Sequence, residues 1–141
     1  MLKVSEIITD TLPPQATLVL PFEQRQKSRL RARLTSGEEA GLFLPRGTVL
    51  RHGDLLRAEN GLVVEVQADL EPVTTIAGRD PLTLARACYH LGNRHVQLQI
   101  GAGWLRYQRD HVLDGLARAL GLEVYHELAV FEPEPGAYGH G

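Results

Sequence analysis

Six histidines are the residues with most to offer chemically: His52, His90, His95, His111, His126 and His140. Neutral imidazole is the usual protein ligand for zinc, copper and nickel. A closed metal site needs about four ligands. The question is therefore whether the fold can bring these rings together. A single cysteine, Cys88, excludes an intramolecular disulfide and a cysteine-based zinc finger. Metal-assisted hydrolysis would need a general base beside metal-bound water. No Glu stands in a His-Glu-x-x-His spacing, and Asp110, the one carboxylate adjoining His90, His95 or His111 along the chain, reads more simply as a helix cap.

The elements that must position these residues change character part-way along the chain. The first half reads as strands: Lys3–Ile8, Thr17–Leu20, Arg29–Leu34, Glu39–Leu44, Asp54–Ala58 and Leu62–Gln67. Breakers such as Pro13-Pro14, Ser36-Gly37, Pro45-Arg46-Gly47 and His52-Gly53 separate them. Asn60-Gly61 between two apolar runs is a hairpin signal. Two small packed sheets are expected.

Beyond Asp69–Pro72 the pattern becomes β-α-β-β-α-β, a ferredoxin-like order. Val73–Ile76 is a strand. Asp80 caps a helix with Pro81 at its first position, and Leu84, Cys88 and Leu91 fall on one face. Gly92 or Asn93 stops it, with Asn93 suited to the left-handed exit. Val96–Ile100 and Trp104–Gln108 form a hairpin. Asp110 caps a second helix, with Leu113, Leu116, Ala117 and Leu120 on its apolar face and Gly121 at its end. Glu123–Phe131 is the last strand. A tail with Pro133, Pro135 and His140 follows, expected to be mobile. The fold class is thus α+β, with a β-rich domain over 1–70, a ferredoxin-like domain over 71–132 and a tail over 133–141.

In such a topology consecutive elements run in opposite directions. His90, His95 and His111 then fall at one end of the sheet, and the tail carrying His140 leaves from that end too. His126 is expected toward the other end. One chain offers two well-placed histidines and a tethered third. Two copies about a two-fold axis would double the count, and a residue near the axis would meet its own copy. Each half is about 70 residues, near the lower limit for an adequate core, so a homodimer also fits on size. Taken singly, His90 also reads as a helix-capping residue, and His52 and His126 as surface positions. The residues alone leave both readings open.

Composition narrows the class. The chain has 141 residues, 43% apolar and 23% charged, with a net charge of −2. That is globular composition with no basic excess for general nucleic-acid binding. No apolar run is long enough to span a membrane, and Met1–Asp10 lacks the apolar stretch of a signal peptide. A soluble, reduced, cytoplasmic protein is expected. Arg25, Lys27, Arg29, Arg31 and Arg33 alternate. On a strand they share a face, read either as a solvated surface or as a docking face for an acidic partner. Trp104 and Tyr107 read as core or interface, and Cys88 as a small buried hydrophobe.

His90-Leu91-Gly92-Asn93-Arg94-His95-Val96-Gln97-Leu98-Gln99, followed by Asp110-His111-Val112-Leu113 opening the next helix, resembles the urease accessory UreE family. The resemblance implies a nickel metallochaperone, not an enzyme. It implies a first half like a peptide-binding domain and a second half that dimerises. It implies that His95 of each subunit binds Ni(II) at the dimer interface, with His111 as auxiliary ligand and His140 completing the coordination. Ni(II) would be cargo, with Cu(II) or Zn(II) as stand-ins in vitro. Implied partners are the urease apoprotein and its accessory proteins, including the maturation GTPase, with neither nucleic acid nor membrane. Two departures limit capacity: Arg109 stands where some members have a further His, and the tail holds only His140. The competing reading is a protein-interaction module with only incidental metal binding.

Overall fold

The computed structural model describes residues 1–78 and 80–136. Contacts divide the chain into two units, Met1–Asp69 and a second beginning at Leu70.

In the first unit, β1 (Leu2–Ile8), β2 (Ala16–Leu20), β3 (Arg29–Arg33), β4 (Glu39–Phe43), β5 (Leu55–Ala58) and β6 (Val63–Ala68) are the strands. Their bounds lie within a residue or so of the sequence reading. Their association does not follow it. The expected two small packed sheets are one six-stranded sheet, ordered β2-β6-β5-β1-β4-β3. The joint is β1, which pairs parallel with β4 on one edge and antiparallel with β5 on the other. Val4, Leu18, Leu42, Leu56 and Val64, from five different strands, are buried in one cluster. The two ends of the sheet therefore serve the same core. The expected hairpin joins β5 to β6, with Gly61 at φ +89°, a backbone region that suits glycine.

Between β2 and β3 lies α1 (Phe22–Arg25), which the sequence reading passes over. A single turn of four residues is too short to display a helical period. It also removes Arg25 from the expected arginine stripe. The guanidinium is fully buried, donating from Nε to Leu20 O (3.1 Å) and from Nη1 to Leu50 O (3.2 Å). Arg25 thus fastens β2 to the approach to β5, and only Arg29, Arg31 and Arg33 lie on the strand.

The second unit runs β7 (Glu71–Ala77), α2 (Pro81–Asn93), β8 (Gln99–Gly101), β9 (Trp104–Gln108), α3 (His111–Ala119), β10 (Glu123–Ala129). Its sheet has the order β10-β7-β9-β8, every neighbouring pair antiparallel. The helix stripes meet the sheet in a core of Ile76, Ala87, Leu91, Leu105, Tyr107 and Ala117. Cys88 is half-buried and packs against that core, where burial raises its thiol pKa. Asp80 caps α2 by accepting from Leu82 N. The Thr83 hydroxyl and that amide lower its carboxyl pKa.

Two segments differ from the sequence reading. β8 begins at Gln99 rather than at residue 96, because the chain first turns through His95. After β10 the chain crosses back over the sheet. Arg106 Nη1 donates to Val130 O (3.3 Å), Glu132 N to Gln99 Oε1 (3.0 Å) and Glu134 N to Leu98 O (2.7 Å). Phe131 is fully buried in this crossing.

Candidate metal centre

α2 ends at Asn93, and the turn that follows is built from Arg94 N to Leu91 O (3.1 Å) and His95 N to Gly92 O (3.0 Å). The left-handed residue is neither Gly92 nor Asn93 but His95, with φ +59°. No other described non-glycine residue has a positive φ. An L-residue there carries a steric penalty of about 1 kcal/mol, so the turn holds His95 against the local preference of its own backbone. Its side chain is exposed.

His111 is the first residue of α3. Asp110 fixes it from behind: its Oδ1 accepts from Val112 N (2.8 Å) and Leu113 N (3.1 Å), closing the helix N-terminus.

The strand register fixes where these residues stand. Gln99 pairs with Arg106 and Val73 with Gln108, so β8 and β7 begin at the end of the sheet where β9 finishes. The turn through His95 leads into β8, and α3 starts just beyond β9. His95 and His111 therefore flank the same end. Three exposed apolar side chains are carried toward it as well: Tyr89 (66% exposed) late in α2, Val112 (53%) in the first turn of α3 and Leu128 (65%) late in β10. Glu134, bonded to Leu98, brings the described end of the chain beside the strand that follows His95.

The other histidines are placed differently. His90 is exposed on α2 with the Tyr89 ring edge-on at 5.3 Å. His52 belongs to the first unit, where its Nδ1 accepts from Ala68 N (3.1 Å). His126 is not toward the far end as expected. It sits at the centre of β10 opposite Thr74, and its Nε2 lies 2.6 Å from Asp114 Oδ2. His140 lies outside the described residues. Among the described residues, no group of three or more His, Cys, Asp or Glu side chains of one chain could hold a metal ion.

Sequence reasoning missed the Asp114 network. Asp114 is buried in the first turn of α3 and receives Thr74 Oγ1 (2.9 Å) and Tyr107 Oη (2.6 Å) on Oδ1, with His126 on Oδ2. Burial works to raise its pKa, but the hydrogen bonds from Tyr107, His126 and Thr74 outweigh burial and lower it. Burial, and then the neighbouring carboxylate, push the Tyr107 hydroxyl up. The available signal was an Asp on the apolar face of a helix, beside Leu113 and Ala117.

The family model of the UreE urease accessory protein N-terminal domain matches residues 3–69, and that of the C-terminal domain matches residues 71–141. The chain belongs to the UreE family of urease accessory proteins. It is 60% identical over 139 residues to the urease accessory protein UreE of Alkalilimnicola ehrlichii, covering 99% of this chain and 85% of the relative. It is 58% identical over 132 residues to UreE of Proteus mirabilis, covering 94% and 82%. It is also 58% identical over 120 residues to UreE of Vibrio parahaemolyticus, covering 85% and 76%. As a UreE protein the chain is an accessory chaperone of urease maturation and not an enzyme. No helix among the described residues is long and apolar enough to cross a membrane.

Proposed function

We propose that this chain is a cytoplasmic nickel metallochaperone. It works as a homodimer in which His95 of each copy meets across a two-fold axis and holds one Ni(II) as cargo. His111 is the auxiliary ligand and His140 the tethered one. The second unit, read as ferredoxin-like over 71–132, is the dimerising and metal-binding part. Its strand order and two crossover helices support that reading. Residues 1–70 act as a peptide-binding-like domain and 133–141 as the tail. The machinery served is the urease apoprotein with its accessory proteins, including the maturation GTPase.

The observation that carries this reading is His95 itself, an exposed imidazole in a left-handed turn at the same end of the sheet as His111. Two imidazoles from one chain fall short of the roughly four ligands of a closed site, and a second copy doubles them. The exposed apolar residues Tyr89, Val112 and Leu128 supply material for the contact. A site of imidazoles shared between copies stays open to an incoming ligand, so the ion can be passed on by exchange. Copper(II) and zinc(II) would also bind such a set, and preference for nickel then comes from partners and supply.

Equilibrium dialysis against Ni(II), with light scattering on the same sample, tests the reading. One tight ion per dimer, lost in His95→Ala while the dimer persists, is the expected result. Tight binding that survives His95→Ala, or a monomer that binds equally well, would remove it.

A further inference from the structure

β3 is the terminal strand of the six-stranded sheet, and its ladder leaves one edge open. Leu44 N donates to Ser28 O (2.8 Å) and Leu34 N to Glu38 O (2.9 Å). Because an antiparallel ladder alternates, Ser28, Leu30, Ala32 and Leu34 bond toward β4. The backbone N–H and C=O groups of Arg29, Arg31 and Arg33 point away from the sheet. Thr35 continues that outward series, and its N–H is taken by Thr17 O of β2 at 2.9 Å. β2 thus seals the edge at Thr35.

The side chains match the backbone pattern. Arg29, Arg31 and Arg33 are exposed on one face, while Leu30 and Ala32 turn to the core. Arg33 is paired with Glu39 (3.0 Å). Among the described residues, Arg29 and Arg31 have no carboxylate partner. Arg29 lies over the Phe43 ring at 5.3 Å and Lys3 approaches the same ring at 5.2 Å. Arg31 stands opposite Gly41, which offers no side chain to engage it. Charge on an edge strand also guards against indiscriminate pairing, but a single sign of charge leaves pairing with the opposite sign favourable.

We propose that the open edge of β3 docks an extended acidic segment of a partner protein, which adds as a further strand with carboxylates opposite Arg29 and Arg31. Main-chain hydrogen bonds would give the affinity and the alternating charges the selectivity. The proposal deepens the peptide-binding reading of the first unit and is independent of the nickel reading. A peptide strand fits better than a nucleic acid. The outward positions of β3 are all arginine, with no aromatic among them to stack bases.

The test uses the full chain and a fluorescent peptide of alternating Glu and Val about eight residues long, read by anisotropy and by amide hydrogen exchange. Expected are saturable binding, slowed exchange at Arg29, Arg31 and Arg33, and binding at least about 10-fold weaker in Arg31→Glu. Arg31→Pro removes an N–H that β4 does not use, so it should stay folded by circular dichroism and lose a similar factor. A probe N-methylated on its backbone, or one with Lys for Glu, should fail to bind. Equal binding of the N-methylated probe, or of a thymidine oligonucleotide, would overturn the proposal in favour of charge attraction alone. Protection confined to parts of the first unit other than β3 would overturn it while leaving the peptide-binding reading standing. No peptide binding at all would end both. A drop in oligomeric state in Arg31→Glu would assign the edge to a second copy of this chain and likewise overturn it.

Discussion

His126 on β10 and Asp114 on α3 meet at 2.6 Å, Nε2 to Oδ2, tying an edge strand to the helix that begins with His111. The same carboxylate takes the hydroxyls of Tyr107 from β9 and Thr74 from β7. One buried acid thus holds three strands and the base of the helix that presents a candidate ligand.

Asp114→Ala should destabilise the second unit by about 2 to 4 kcal/mol, since it leaves buried hydroxyls without their acceptor. Urea melts followed by near-ultraviolet circular dichroism measure this. A loss under about 0.5 kcal/mol would mean the network contributes little.

The acid limb of stability should depend on the same residue. The folded carboxyl pKa is below its ordinary value, so its contribution is fully present above that ordinary value. It is lost as pH falls through the folded pKa. The wild-type chain should therefore lose stability more steeply in that acid range than Asp114→Asn. Parallel pH dependences in the two proteins would contradict the shift.

His95→Gly and His95→Ala separate backbone from ligand. Both remove the imidazole, so both should abolish the tight nickel site. Glycine accepts φ +59° freely and alanine does not, so His95→Gly should be the more stable by about 1 kcal/mol. Thermal melts of the two apo proteins decide it. Equal stability would mean that the turn relaxes at no cost.

Asp110→Ala should cost about 1 kcal/mol through loss of the cap to Val112 and Leu113. It should also loosen His111. Nickel affinity should fall modestly, by less than in His95→Ala, with His111→Ala and truncation after Pro135 in the same middle range. Isothermal titration of the set would rank them, and a loss in Asp110→Ala as large as in His95→Ala would break the order.

Nickel affinity should drop as the solution is made acidic, because a protonated imidazole nitrogen has no lone pair to give the ion. Dialysis at several pH values measures the slope. A flat response would point to carboxylate ligands.

The local elements were legible because their signals are local. Asp80-Pro81 and Asp110 start the helices where observed, and Asn60-Gly61 turns the β5–β6 hairpin. His95 and His111 could be placed at one end because alternating element direction is itself a property of chain order. α1 is not legible, since one turn has no period, and Arg25 alternates with the arginines of β3 in sequence without joining their face.

What the sequence determined by itself was the kind and order of the elements, the family, and the histidines worth asking about. The tertiary structure decided which strands share a sheet, that His95 rather than Asn93 takes the left-handed turn, and that Asp114 gathers Thr74, Tyr107 and His126. The physical reason is range. Caps, turns and periods are settled within a few residues, whereas strand pairing joins positions as distant as Glu71 and Ala129, and the buried bond from Thr74 to Asp114 spans 40 residues. Such contacts exist only once the whole unit has closed around its core.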